Sequence, residues 1–270
     1  MRRYRAAAVQ MQSGSDRAAN LARAEALVRD AAAGGARLVV LPEVFAWRGP
    51  AAEESAIAEP VPGPTTARLG ALARELRLWL VAGSLHERVD GERRVFNTSC
   101  LIDPSGEIAA RDRKLHLFDV DLPGRVVIQE SATRAPGTDV VMAPTELGTL
   151  GLSICYDLRF PELYRRLALG GAEVLLVPSA FTFPTGAAHW EVLLRARAVE
   201  NQCYVVAANQ AGVGPQGVAD WGDSMIIDPW GRVLARAGDG EAVVSGEIDL
   251  DYLARVRREL PALAHSRLGR

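Results

Sequence analysis

The sequence repeats itself at long range. GGARLVVLPEVF (34–45) aligns without gaps on GGAEVLLVPSAF (170–181), and SCLIDPSGEIAAR (99–111) aligns on SMIIDPWGRVLAR (224–236). Between these pairs, LGALARELRLWLVAG (69–83) matches LRARAVENQCYVVAA (194–208) in pattern rather than identity. The three blocks keep one order in both halves. Such an echo implies a pseudo-two-fold architecture in which each half contributes a sheet and a pair of helices.

The local pattern says what those units are. Arg5–Gln10, Leu38–Leu41, Leu78–Ala82 and Val174–Val177 read as short apolar strands. Asp16–Ala33 reads as an amphipathic helix, with Leu21, Ala24, Leu27 and Val28 on one face and Gly34-Gly35 as its stop. Thr65–Arg77 and Asp249–Glu259 are two further helices. Continuous apolar strands between helices indicate a sheet shielded by a helical layer. The turn signals DPSG, DPWG and GDG (238–240) add antiparallel hairpins, so the sheets should be mixed. Two sheets face to face with helices outside would bury every apolar strand. The expectation is an α/β fold, a four-layer αββα sandwich. No Pro/Ser-rich or charged linker separates the halves, so residues 1–270 read as one domain.

Composition narrows the function. A net charge of −2 over 270 residues lacks the basic excess of a dedicated nucleic-acid binder. No run approaches the ~18 apolar residues of a membrane span. The start, MRRYRAAAVQMQSG, is a poor secretory signal. Three widely spaced cysteines, Cys100, Cys155 and Cys203, argue against a disulfide framework or a Cys-rich zinc site and suggest a cytoplasmic protein. Of the 31 basic residues only Lys114 is lysine. In an arginine-biased chain a surviving lysine marks either chance or a place where a compact ammonium is required.

Three residues could carry chemistry. Cys155 follows the strand Leu150–Ile154 and precedes a helix opened by Pro161. That strand–turn–helix setting exposes a nucleophile in some hydrolases, although free cysteine is also a common inert core residue. Cys100 and Cys203, placed mid-strand, read as core. Glu43 follows Leu38–Leu41 and Pro42, and its counterpart in the second half is Ser179. A carboxylate there is either a turn cap or a paired, buried acid. Lys114 follows the strand Glu107–Arg111 and is either a solvated strand end or a partner to the other two. All three fall just beyond strand ends, where the sites of α/β folds collect. A thiol, a carboxylate and an ammonium suffice for acyl transfer.

The segments LPEVF, RKLHLFD and ICYDLRFPELYR resemble, in order and separation, the three catalytic motifs of the nitrilase superfamily of carbon–nitrogen hydrolases. The likeness continues through PSAFTFPTGAAHWEVLLRARAVENQCYVVAANQ to the DPWG hairpin and covers nearly the whole chain. The resemblance implies the αββα sandwich and assembly into a homodimer or larger homo-oligomer. It implies Glu43 as general base, Lys114 as oxyanion stabiliser, Cys155 as nucleophile and the Tyr156 backbone N–H as a second oxyanion donor. PGRVVIQES matches a stretch where many members carry a further glutamate, here Glu130, with a positioning role. No metal or organic cofactor is required. HLFDVDLPG…QES and PTGAAHWEVLLRARA most resemble the Nit subgroup, which contains ω-amidases acting on α-keto acid amides such as α-ketoglutaramate and amidases acting on deaminated glutathione. The implied function is a thiol amidase for a small carboxylate-bearing amide. Arg159 is a possible carboxylate partner, or else part of a local salt bridge. Phe181, Thr182 and Thr185 could line the pocket.

Competing signals are weaker. GVGPQG (212–217) satisfies a dinucleotide-binding spacing, but Pro215 lies inside it and no helix follows, so it reads as a loop. His86, His116, His189 and His265 are too scattered for a zinc motif. A Cys155–His dyad using His116 or His189 is the alternative catalytic arrangement, with His189 read as opening the helix at Trp190. Asn97-Thr98-Ser99 fits a glycosylation sequon without meaning in a cytoplasmic strand. The Arg-rich segment after Pro261 lacks periodicity and reads as a surface for a partner subunit. A nitrile or N-carbamoyl amine hydrolase, or a catalytically silent assembly protein on the same fold, are the alternative functions.

Overall fold

The side-chain alternation expected of strands separates three apolar layers. In the strand Arg3–Gln10, Ala6 and Ala8 face one way and Ala7 and Val9 the other. Ala6 and Ala8 join Leu38 and Val40 against Leu150, Leu152, Val174, Leu176 and Val206, which belong to a second sheet. Ala7, Val9 and Val39 instead meet Leu21, Ala24, Leu27 and Val28 of the helix Arg17–Ala33 and Leu69, Leu72 and Ala73 of the helix Pro64–Leu76. On the far side, Leu175, Val177 and Val205 pack on Leu163 and Leu167 of the helix Pro161–Leu169 and on Trp190 and Leu194 of the helix Phe183–Asn201. The result is the expected four-layer αββα sandwich. The computed structural model describes residues 2–122, 126–214 and 217–267.

Both sheets are mixed. The first runs Ala242–Asp249, Arg3–Gln10, Ala36–Val40, Trp79–Val81, Val95–Ile102, Leu85–Glu87, with Ile108–Arg113 and Arg134–Ala135 also paired to Val95–Ile102. The second runs Met142–Thr145, Gly148–Leu152, Val174–Ser179, Tyr204–Asn209, Met225–Ile227, Val233–Arg236. Each has three parallel strands at its centre, joined through helices, and antiparallel strands toward its edges.

The repeat extends to detail. The aligned residues Arg77 and Gln202 both end helices in the left-handed region, at φ 54° and 48°. In the two aligned turns, Asp103 accepts hydrogen bonds from the N–H groups of Ser105 and Glu107, and Asp228 from those of Trp230 and Arg232. The ladder irregularity between Leu101 and Ile102 recurs between the aligned Ile226 and Ile227. Most telling, the Glu43 N–H donates to the carbonyl of its counterpart Ser179 at 3.3 Å. Equivalent residues meet there, so the pseudo-two-fold axis passes beside Glu43.

Several expectations need correction. The GDG turn makes no hairpin: it carries the chain from Val233–Arg236 in the second sheet to Ala242–Asp249 in the first, where Arg3–Gln10 supplies the partner. Gln10 pins that crossing by donating to the carbonyls of Gly238 and Gly240 at 2.7 and 2.6 Å. The strand before Cys155 ends at Leu152, and Cys155 opens a short 3-10 turn, Cys155–Arg159. His189 does not open a helix; it lies inside Phe183–Asn201, which starts seven residues earlier than Trp190 suggested, with Pro184 in its first turn. Cys203 precedes its strand instead of sitting within it. After Pro261 the chain forms a short helix, Ala262–His265. The segment GVGPQG begins inside the strand Ala211–Val213 and is no helix start, with Pro215 and Gln216 outside the described residues. Pro123, Gly124 and Arg125 of PGRVVIQES, and the last three residues of the Arg-rich segment, also lie outside them.

Candidate active site

Glu43, Lys114, Glu130 and Cys155 converge on one cavity of about 300 Å³. Each arrives on a strand end or turn, and each backbone is clamped. Past Ala36–Val40 the chain turns at Glu43, and the next residue, Val44, takes φ 47°. The Ser84 hydroxyl accepts the Val44 N–H at 2.9 Å, and the Gln210 amide donates to the Glu43 carbonyl at 2.9 Å. Gly83 makes room for this turn: a Cβ there would lie 2.0 Å from the Pro42 carbonyl oxygen. Lys114 continues the strand Ile108–Arg113. Its N–H donates to the Asn97 carbonyl at 2.9 Å, and its carbonyl accepts from the Gly137 N–H at 2.8 Å.

Cys155 sits at φ 48°, a strained conformation for a residue with a Cβ. Asp157 over-determines it. Its carboxylate accepts the Ile154 N–H at 2.9 Å and pairs with both the backbone N–H and the Nδ1 of His116. The turn that aims the thiol is thereby tied to the segment that carries Lys114.

The side chains form one charge network. Lys114 Nζ donates to Glu43 Oε1 at 2.9 Å and to both Glu130 oxygens at 3.0 and 2.8 Å. The Phe118 N–H donates to Glu130 Oε2 at 2.6 Å, and Arg134 donates to Glu130 Oε1. Arg134 also holds Glu54, which lies beside His86. All these groups are buried or nearly so. Burial alone would lower the Lys114 ammonium, but the carboxylates of Glu130 and Glu43 outweigh it and keep the ammonium charged. Burial would likewise raise the Glu130 carboxyl, yet Lys114 and Arg134 hold it well below the ordinary range. For Cys155 the balance falls the other way. Burial and the Glu43 carboxylate push its thiol well up, against Lys114 and the Ala180 N–H, so it rests protonated.

Burial also pushes up the other two thiols, Cys100 to about 12 and Cys203 to about 11. What separates Cys155 is position: it faces the cavity beside a carboxylate and an ammonium, and they do not. The alternative dyad finds no support in the geometry. His116 is tied to Asp157 and stacked on Phe160 at 3.5 Å, His189 meets Arg159, and neither lines the cavity.

Tyr156, Arg159, Phe181, Thr182 and Thr185 all line the cavity. Arg159 lies over the rings of Phe181 and Tyr156 at 5.3 and 5.8 Å and contacts His189 Nδ1 at 3.2 Å. Among the described residues no carboxylate pairs with it, which sets aside the local salt bridge. The other cations at the cavity are matched, Arg48 by the buried Asp220. Sequence reasoning missed Arg134, Glu54, Asn97 and Gly137. Arg134 lies in a two-residue strand and Glu54 opens a four-residue helix, both too short to give a periodic signal, and the others appear only once register is known.

A family model described as carbon-nitrogen hydrolase matches residues 5–258. The human protein named omega-amidase NIT2 is 41% identical over 267 residues, covering 99% of this chain and 96% of that protein. Human deaminated glutathione amidase is 45% identical over 267 residues, covering 97% and 81%. Among solved structures, the NitFhit protein of C. elegans superposes with a TM-score of 0.90 at 39% identity. It covers 98% of this chain, which spans 65% of that longer protein.

Proposed function

This chain belongs to the carbon-nitrogen hydrolase family, and on that premise we propose that it is an amidase that cleaves a small, carboxylate-bearing, non-peptide amide through a thioester on Cys155. The observation that carries the reading is the ammonium of Lys114, buried between Glu43 and Glu130 at 2.8–3.0 Å, on the same cavity as the Cys155 thiol. A resting thiol is a weak nucleophile and needs a base at hand. Cys155 Sγ attacks the amide carbon while its proton passes to Glu43. The carbonyl electrons move onto oxygen, where Lys114 and the Tyr156 N–H hold the charge. Loss of one such donor costs about 3 kcal/mol of transition-state stabilisation. Glu43 returns the proton to nitrogen, the C–N bond breaks and the amine leaves. Water then gives a proton to Glu43 and attacks the thioester carbon. Collapse of that adduct breaks the C–S bond, returns the proton to sulfur and releases the acid.

Glu130 positions the ammonium and touches no reacting atom in this scheme. Arg159, without a carboxylate partner among the described residues, binds the substrate carboxylate, and Phe181, Thr182 and Thr185 wall the pocket. The scheme draws on no metal or organic cofactor. Among the described residues no helix is long and apolar enough to cross a membrane. We place the enzyme in the cytoplasm as a homodimer or larger homo-oligomer, with residues 1–270 acting as one domain.

The test is ammonia release from α-ketoglutaramate by wild type and Cys155→Ala, with release of Cys-Gly from deaminated glutathione followed in parallel. Turnover of either substrate, abolished by the substitution, supports the reading. Silence with both on folded protein overturns the substrate class and redirects the search to nitriles and N-carbamoyl amines.

A further inference from the structure

The sequon-like triplet Asn97-Thr98-Ser99 holds a residue that the mechanism above leaves unused. Asn97 is completely buried in the strand Val95–Ile102, paired on one side with His86 and bonded through its carbonyl to the Lys114 N–H. Its side chain does not line the cavity. The amide nitrogen donates to Glu43 Oε1 at 2.7 Å and reaches Glu130 Oε1 at 3.4 Å. The amide oxygen is buried with no hydrogen-bond partner among the described residues. An amide flipped the other way would set that oxygen against two carboxylates, which only accept, so the orientation is fixed by its neighbours. An unpaired buried acceptor is a standing cost, and here it accompanies a donor placed on the proposed base.

We infer that Asn97 is a positioning residue for Glu43: it fills Oε1 together with Lys114 and so turns the second carboxylate oxygen toward the Cys155 thiol. Glu43 is the only proposed catalytic carboxylate, and its backbone clamps, Ser179, Ser84 and Gln210, fix the main chain without fixing the rotation of the carboxylate plane. Two donors on one oxygen do fix it. This inference rests on the roles proposed for Cys155 and Glu43.

The test uses iodoacetamide at neutral pH, with the extent of reaction at Cys155 followed by mass spectrometry. Sulfur forms a bond to carbon, the C–I bond breaks, iodide leaves and the thiol proton passes to Glu43, so the rate reads the base without any substrate. Asn97→Leu and Asn97→Asp keep the side-chain size but lose the donor, whereas Asn97→Ser keeps a donor and loses volume. We expect Leu and Asp to slow alkylation and kcat together by about 10- to 100-fold with little change in KM, the effect of one charge-assisted hydrogen bond. Asn97→Ser should retain more of both rates than either. Thr98→Val, which removes a buried hydrogen bond to Glu87 of the neighbouring strand, should lower Tm and leave alkylation unchanged.

A purely structural Asn97 predicts the reverse order, with Asp above Ser, and that order overturns the inference. So does a rise in KM that accompanies the fall in kcat. If Asn97→Asp does not fold, the Ser and Leu variants decide alone. A wild-type Cys155 no faster than a simple thiol defeats the catalytic reading itself. A fast wild type with unaffected variants defeats only the role of Asn97.

Discussion

Lys114 keeps its charge although its side chain is buried, and the two carboxylates that make this possible also limit what can replace it. An arginine would bring a planar guanidinium, too wide to sit between Glu43 and Glu130 and still leave the carbonyl site open. Lys114→Arg should therefore fold, and lower kcat by at least about 100-fold in an ammonia-release assay. This accounts for the solitary lysine among 31 basic residues. The neighbouring acids govern stability as well. Burial would raise Glu54, but His86 and Arg134 outweigh it and hold its carboxyl well below the ordinary value of 4.5, and Glu130 is held down in the same way. A depressed folded-state value gives stability that is complete above the unfolded value and is lost as pH falls through the folded one. Tm should thus decline as pH drops from 4.5 toward about 2, and Glu54→Gln should flatten that decline while lowering Tm at neutral pH. A decline of equal slope in the variant would refute the assignment.

At the scale of elements, close backbone approaches position the site. Gly137 packs against the strand end that carries Lys114, where a Cβ would lie 2.1 Å from the Arg113 carbonyl oxygen. Gly137→Ala should cost about 1–3 kcal/mol in denaturant unfolding and depress kcat, because the strand end must shift to admit the methyl group. Gly238, whose Cβ would meet nothing within 4 Å, should accept alanine within about 0.5 kcal/mol. Such contacts explain what could be read from the sequence. Apolar runs such as Leu38–Leu41 declared the sheets because periodicity is local, and the bulges and turns of the repeat followed its alignment. Glu43, Lys114 and Cys155 were legible because each lies just beyond a strand end within a motif. Asn97 was not, since its value depends on a register that brings Lys114 beside it. Arg134 was hidden for a similar reason: its ion-pair partner Glu54 lies 80 residues away. The GDG turn was misread because turn chemistry does not say which sheet the next strand will join.

Across the whole molecule, the cavity is a joint product of the two halves. Glu43 and Arg48 come from the first, Cys155 and Asp220 from the second. The Arg48–Asp220 pair bridges them, with the Asp220 side chain only 1% exposed. Burial raises the Asp220 carboxyl despite Arg48, so the pair is a poor source of stability yet costly to break on one side only. Arg48→Met should cost about 3–5 kcal/mol, and the double variant Arg48→Met/Asp220→Leu should recover much of that loss in urea unfolding. Equal losses in the single and double variants would show that the pair itself stabilises the junction. The first sheet carries a different consequence of joining distant segments. Arg3 is registered against Asp249, and the whole of Arg3–Gln10 is flanked by Ala242–Asp249. A ribosome adding about 5–20 residues per second releases the early strand long before its late neighbour exists. For roughly ten to fifty seconds the nascent protein carries an open sheet edge that only synthesis of Ala242–Asp249 can close, so a chain stalled before that strand is left with a sticky margin and becomes a natural client for chaperones.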